Sequence, residues 1–487
     1  MNPLQNFTKL ALPGILLFPS SCDQKAQEET VSLKPNIILV MSDDQGWGQV
    51  GYLDHPILKT PHLNAMAENG IRFDRFYAGA PVCSPTRASV LTGRTNDRTA
   101  VYTHGYPMRL QEKTIAEALK AEGYQTAHFG KWHLNGLRGP GVPILKDDLR
   151  NPGEFGFDKW ISVTNFFDVD PLMSDEGEIK EYSGSSSDII VRQALDFISE
   201  HREDPFFVVI WYGSPHDPWT ALERDKKDLP QELDEKHRNY LGEIVEIDNS
   251  IGLLRSKLKE MNLSENTMIW FNSDNGGLRE GGKEGVGGLR DYKGSVYEGG
   301  LRVPCIIEWP NYIDGGQIRL YPASTMDIFP TIAEILDLPL QVMTKPVDGS
   351  SIFHVFNDKS MTRGKLIPFK YVNAGALIDN KHKLVAVNIR EKEYELYDLD
   401  QDPSESNNIL SSQSEKGKDM IHYYESWIES VESSIAGEDY EEGLIAPDPD
   451  PVFWWDDPTY EPFIDQWKDR PEYHFRLERA GKIHDVN

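Results

Sequence analysis

Four apolar runs bounded by turn residues recur along the chain: PNIILVMSDD (35–44), YQTAHF (124–129), PFFVVIWYG (205–213) and TMIWFNSDNG (267–276). Their length and their β-branched and aromatic content predict buried strands. Helical patterns lie between them. In KTPHLNAMAENG (59–70), Thr60 can cap, Pro61 suits the first helical position and Gly70 ends the helix. TIAEALKAEG (114–123) repeats that logic, with Thr114 and Glu117 as a capping box and Gly123 as terminator. SDIIVRQALDFISEH (187–201) and LGEIVEIDNSIGLLRSKLKEM (241–261) are amphipathic and each leads into a strand. This β-α-β alternation predicts an α/β fold, a mostly parallel sheet sandwiched by helices.

The pattern changes after about residue 365. HKLVAVNIREKEYELYDLDQDP (382–403) reads as a hairpin, and in the helix after it Met420, Ile421, Tyr424, Trp427, Ile428, Val431 and Ile435 share one face. The predicted organisation is a main domain over 34–365 and a smaller C-terminal subdomain over 366–487. The latter combines an antiparallel sheet, a helix and an aromatic, acidic tail. The chain contains no internal repeat.

Composition sharpens this picture in three places. With 39% hydrophobic and 26% charged residues in 487, the chain is a soluble globular protein with ample core. A net charge of −28 argues against nucleic acid as a partner, although a few Lys and Arg around a metal can set the local sign. The start, MNPLQNFTKLALPGILLFPSSC, has one Lys9, an apolar run from Leu10 to Phe18 too short to span a bilayer, then small residues and Cys22. That order fits an export signal over 1–22, followed by a linker over 23–33. A cysteine after small residues resembles a lipoprotein signal, in which Cys22 would carry a lipid anchor, the chain's one link to a membrane; Pro19 stands where an aliphatic residue is usual. The chain has two further cysteines. Cys305, inside VPCII, reads as a core thiol, and Cys83 stands alone.

In an open parallel sheet, ligands bind beyond the carboxyl ends of the strands. After the four runs come Asp43 and Asp44, then Lys131 and His133, then His216, then Asp274 and Asn275. Each set alone has an ordinary reading: a helix cap, a structural histidine, a DNG turn. Their coincidence at one edge points instead to chemistry. Three carboxylates and an amide form an all-oxygen set suited to Ca²⁺ or Mg²⁺ and unsuited to Zn²⁺. Lysines and histidines beside them suit a tetrahedral oxyanion, so the edge reads as a metal-assisted site for sulfate or phosphate esters. A nucleophile is missing from it.

PVCSPTRASVLTGR (81–94) supplies one. Its C-S-P-T-R, continued by A-S-V-L-T-G-R, resembles the signature of the type I sulfatases of the alkaline-phosphatase-like superfamily. DDQGWG (43–48), GKWH (130–133), SPHDPW (214–219), SDNGG (273–277), KGSVYEGGLRVP (293–304) and YELYDLDQDPSESNNI (394–409) resemble further motifs of that family, in its order. The resemblance implies that a maturation enzyme oxidises Cys83 to formylglycine (3-oxoalanine), whose hydrate is the nucleophile. One hydroxyl attacks sulfur and expels the alcohol; the other, once deprotonated, lets the aldehyde re-form and inorganic sulfate leave. It further implies that Asp43, Asp44, Asp274, Asn275 and the modified Cys83 hold Ca²⁺, ahead of Mg²⁺. Arg87 would orient the hydrate and Lys131 and Lys293 grip the sulfate. His133 would act as base and His216 as acid, while Arg94 braces the site. Gln49 departs from the acidic residue common after the first metal motif.

The implied substrate is a sulfated carbohydrate. An exported or surface-anchored enzyme suits an algal polysaccharide such as ulvan or carrageenan ahead of a host glycosaminoglycan. FWWDDPTYEPFIDQW (453–467) is either a sugar-stacking wall or ordinary packing. The rival expectations are a phosphatase or phosphonate hydrolase of the same superfamily, and a non-catalytic glycan-binding surface lipoprotein.

Overall fold

The computed structural model describes residues 34–358 and 362–483. The export signal and Cys22 lie outside the described residues.

The four apolar runs form the centre of a ten-stranded sheet: β1 (Asn36–Ser42), β2 (Gln125–Lys131), β3 (Phe206–Trp211) and β4 (Thr267–Ser273). They lie in the order β4-β1-β3-β2, all parallel, and Lys159–Val163 continues the parallel run beyond β2. Alternate residues serve one face: Ile38 and Val40, Ala127 and Phe129, Val208 and Ile210, Ile269 and Phe271. They pack against Ile190, Ala194, Ile247 and Leu254, of which the first two lie on α2 (Ser186–Glu200) and the others on α3 (Glu235–Glu260). The opposite face receives α1 (Cys83–Thr92), whose Arg87 guanidinium lies 5.1 Å over the Trp211 ring.

The flanks of the sheet are antiparallel. Cys305–Glu308 pairs with β4, and Leu172–Asp175 and Glu178–Glu181 extend the other side. Cys305 is fully buried there. A separate four-stranded antiparallel sheet (Ile367–Tyr371, Ala374–Asp379, His382–Asn388, Glu393–Asp398) packs on α4 (Ser414–Ile435) through Met420, Tyr424, Trp427 and Val431.

Local signals hold with one exchange. Thr114 and Glu117 form the predicted capping box. Thr60 precedes helix Pro61–Asn69, but its hydroxyl accepts from Gly51 N–H; Asp248 of α3 instead takes the N–H groups of His62 and Leu63 at 3.1 and 2.7 Å. The tail forms helices Glu461–Trp467 and Pro471–Arg479, and Val452–Phe453 pairs with Leu137–Arg138. Trp454, Trp455 and Trp467 are buried together, so packing is what most of its aromatic residues do. Among the described residues no helix is long and apolar enough to cross a membrane.

Candidate active site

The parallel register decides where the polar residues meet. Ser42 is level with Ser273, and Met41 with Trp211, which is level in turn with Gly130. The strands therefore end together, and the ladder continues into the turns: Asp43 N–H donates to Ser214 O and Asp274 N–H to Ser42 O, each at 3.0 Å. Asp44 follows at φ 67°, a left-handed conformation that non-glycine residues take rarely and chiefly at functional sites.

Cys83 arrives from the other side of the sheet at the first position of α1. Pro85 occupies the first turn, where no N–H is needed, and Gly93 ends the helix at φ 70°. Spacing of four residues puts Cys83 and Arg87 on one face. Lys293 is fixed by its own backbone N–H on Gly277 O (3.0 Å) and that of Gly294 on Pro81 O (2.9 Å).

Asp43, Asp44, Asp274 and Cys83 each bring one ligand atom to a cluster whose members lie within 4.8 Å of one another, all buried. Uncompensated, such a group of charges would be costly to bury. Three cations face it. Arg87 Nη2 donates to Asp43 Oδ2 (3.1 Å) and Asp274 Oδ2 (2.9 Å), and its Nη1 to Lys131 O (3.0 Å). Lys131 is paired with Asp43, and Lys293 Nζ lies 2.6 and 2.7 Å from the two oxygens of Asp44. Asn275 donates to Asp44 Oδ1 at 2.8 Å, while its own Oδ1 is buried without a hydrogen-bond partner. Three carboxylates and an unsatisfied amide oxygen at one point, with a single sulfur, are a donor set that fits a hard divalent cation.

The field in the cluster sorts the groups. Burial would raise Asp43, but Lys131, His216 and Arg87 hold it well below the usual carboxylate range. Burial and the neighbouring Asp43 push Asp274 up to about 7, against the pull of Arg87. Burial, then Asp43, drives the Cys83 thiol far above its ordinary pKa, so it is no thiolate nucleophile as it stands. Burial, Lys131 and Arg87 hold His133 well below 6.5; both its ring nitrogens are buried without partners and its backbone is at φ 57°. His216 is lowered by burial and Lys293. Its Nδ1 lies 2.6 Å from Asp217 O, which leaves Nε2, 3.9 Å from Asp44 Oδ2, as the free nitrogen. The ring is stacked on Phe166 at 4.6 Å.

Thus Asp43, Asp44, Cys83, Arg87, Lys131, His216, Asp274, Asn275 and Lys293 come together, and His133 lies within the field of Lys131 and Arg87. Arg94 faces elsewhere, toward Glu112 and Asp439. Gln49 shapes the loop after β1 by accepting from Gly46 N–H (2.8 Å) and donating to Tyr240 (2.8 Å). Phe166 and Trp211, which flank His216 and Arg87, belong to no motif and had no sequence signal beyond their hydrophobic runs.

A family model described as Sulfatase matches residues 35–338, and one described as N-sulphoglucosamine sulphohydrolase, C-terminal, matches 288–430. The chain is 33% identical over 341 residues to N-acetylgalactosamine-6-sulfatase of Rattus norvegicus, covering 62% of each chain. It is 29% identical over 346 residues to the ulvan-active sulfatase of Formosa agariphila, covering 66% of each. A crystal structure of Ps i-CgsB in complex with k-i-k-neocarrahexaose superposes with a TM-score of 0.73 at 24% identity, covering 91% of this chain and all of that one.

Proposed function

The chain belongs to the sulfatase family, and from that premise we propose that it hydrolyses sulfate esters of an extracellular algal polysaccharide, of the ulvan or carrageenan kind, or of its oligosaccharides. The observation that carries this reading is the buried meeting of three carboxylates and Cys83 within 4.8 Å, faced by Arg87, Lys131 and Lys293. An anionic ester entering there finds fixed positive charge, and the cysteine is held where a thiolate is disfavoured. A maturation enzyme would convert Cys83 to formylglycine, which supplies an oxygen nucleophile that the thiol cannot.

Asp43, Asp44, Asp274, Asn275 and the modified residue 83 would hold Ca²⁺, which when bound supplies Lewis-acid charge to the reacting oxygens. The other residues do the positioning and the proton work. Arg87 bridges Asp43 and Asp274 and holds the two carboxylates in fixed geometry against their mutual repulsion. Lys131 and Lys293 take sulfate oxygens in exchange for the carboxylates they now face. His133, neutral and with both nitrogens free, is the base for the step that releases sulfate. His216, its Nδ1–H committed to Asp217 O and its ring held by Phe166, presents Nε2 toward the leaving alcohol and acts as the acid once Nε2 has taken up a proton to form the imidazolium. Export through residues 1–22, with a lipid on Cys22, would place the enzyme in the periplasm or at the cell surface; the pattern LALPGILLFPSSC supports this.

The test is inorganic sulfate release by matured protein from ulvan and carrageenan oligosaccharides, alongside matched aryl sulfate and aryl phosphate esters. Expected are sulfate release and a faster rate on the aryl sulfate, both lost in Asp274→Ala. A faster rate on the phosphate would assign phosphomonoester chemistry instead. Saccharide binding that survives Asp274→Ala, with no turnover by the parent protein, would assign a binding protein.

A further inference from the structure

The protein carries a net charge of −28, and Arg87, Lys131 and Lys293 at the cluster are each matched to a carboxylate. Arg138, outside the cluster, is not matched. Among the described residues it has no carboxylate partner; Nη2 makes one long hydrogen bond, 3.4 Å to His104 O, and Nε is buried with none. Its guanidinium lies 5.8 Å from the Tyr106 ring centroid, which fixes its plane without spending its charge.

Its place follows from a chain of short contacts that starts at the nucleophile position. Ser84, next to Cys83 in the first turn of α1, accepts the N–H of Gly105 at 2.8 Å. Gly105 is at φ 78°, and a Cβ built there would meet Arg138 Cγ at 2.7 Å, so the arginine stem lies directly on it. The neighbouring His104 reaches solvent on one side only, and partial desolvation with the charges of Arg138, Lys293, Lys131 and His216 lowers its pKa to about 4. Residues 103–106 and Arg138 therefore pack as one unit against the first turn of α1, beside the cluster. The tail holds that unit from behind: Phe453 pairs with Arg138 in the short parallel ladder, and a Cβ on Gly139 would meet Trp455 at 2.8 Å.

A half-buried guanidinium with no carboxylate partner keeps N–H donors available, and in a protein of net charge −28 it is a local positive point that an anionic group of a ligand can complete. We propose that Arg138, with His104 beside it, binds a second anionic group of the substrate, a carboxylate or sulfate on the saccharide next to the ester that is cut. This rests on the sulfate-ester reading and adds to it that the preferred substrate is at least doubly anionic around the scissile bond. Arg138 acts as a specificity-determining residue: it distinguishes a polyanionic glycan from a singly sulfated one.

Two measurements test this on the full chain. In matured protein, kcat/KM is compared for the sulfates of 4-methylumbelliferone and 3-carboxyumbelliferone, which differ in a carboxylate remote from the ester. Wild type is expected to prefer the carboxylated ester by about 10- to 100-fold at low salt. Arg138→Gln abolishes the preference and Arg138→Lys keeps part of it. In Cys83→Ala protein, which needs no turnover, calorimetry compares a uronate-containing sulfated disaccharide cut from ulvan with the corresponding sulfated monosaccharide alone. The disaccharide is expected to bind more tightly, and Arg138→Gln to remove the difference. Absence of a carboxylate effect in both measurements, or an equal loss on both members of each pair in Arg138→Gln, overturns the inference. Carboxylate-dependent binding in a matured protein that releases sulfate from no ester would instead refute the hydrolase reading and leave the anion subsite standing.

Discussion

Arg87→Ala removes one cation from the middle of the buried cluster. In the parent structure a single nitrogen, Nη2, bridges Asp43 at 3.1 Å and Asp274 at 2.9 Å, with all three side chains fully buried. The same guanidinium also donates to Lys131 O and lies over Trp211. Lys131 remains on Asp43 after the substitution, but Asp274 is left with no cationic contact in the cluster. Removing one partner of a buried pair costs about 3–5 kcal/mol, toward the lower end here because Asp274, already at about 7, takes up a proton once Arg87 is gone. Unfolding by urea in the presence of a chelator should show a loss of that size. Ca²⁺ should recover much of it, because a bound cation takes over the neutralisation of the same carboxylates. Arg87→Lys should fall between the two, since an ammonium keeps the charge but cannot fork between two carboxylates and a carbonyl. A loss under about 1 kcal/mol in chelator, the level of an exposed pair, would refute the reasoning, as would a loss that Ca²⁺ does not relieve.

Other consequences are open to test. Glu246 is buried on α3, and burial, with Asp225 and Asp188 nearby, pushes its carboxyl from 4.5 up to about 7. The folded state therefore binds this proton more tightly than the unfolded chain; its stabilising contribution is complete below about pH 4.5 and is lost as pH rises through about 7, by about 3 kcal/mol in all. Glu246→Gln, which keeps an oxygen for Ser187 N–H, should flatten the change in unfolding midpoint between pH 5 and pH 8; an unchanged slope would contradict the assignment. Asp348 takes Thr95 N–H at 2.7 Å, Arg98 Nε at 2.9 Å and Trp427 Nε1 at 2.8 Å, tying α4 to the loop after α1. Asp348→Ala should speed amide exchange in α4, and unaltered protection there would show that the apolar contacts of Met420, Tyr424 and Val431 suffice. His133→Ala should lower aryl sulfate turnover by about 10²- to 10⁴-fold; turnover within a few-fold of wild type would remove His133 from the proton transfers.

The sequence made the central strands and the motifs at their ends legible because both signals are local. A continuous apolar run marks each parallel strand, and the polar residues follow it immediately. What local pattern leaves open is who pairs with whom. The antiparallel flank built from Cys305–Glu308 looks in sequence like any other apolar run, and its direction is set by a loop route rather than by its residues. Thr60 is a sound local cap, yet a carboxylate 186 positions from His62 along the chain takes the role, because helix Pro61–Asn69 packs with its first turn against Asp248 of α3. The surroundings of the site were equally hidden. His104, Arg138 and Phe166 come from three separate segments with no shared motif, and only the tertiary fold brings them near the cluster. The tail reads as aperiodic because Trp454 and Trp467 belong to segments of three and seven residues, too short for a period to show.

The central claim is that residue 83 is no longer cysteine in the working enzyme. Mass spectrometry of the peptide spanning Pro81 to Arg87, taken from protein co-produced with a maturation enzyme and assayed from the same preparation, tests it directly. The account predicts an aldehyde in place of the thiol and a sulfate turnover proportional to the aldehyde fraction. A preparation that turns over sulfate esters while the peptide carries only the unmodified thiol would contradict it.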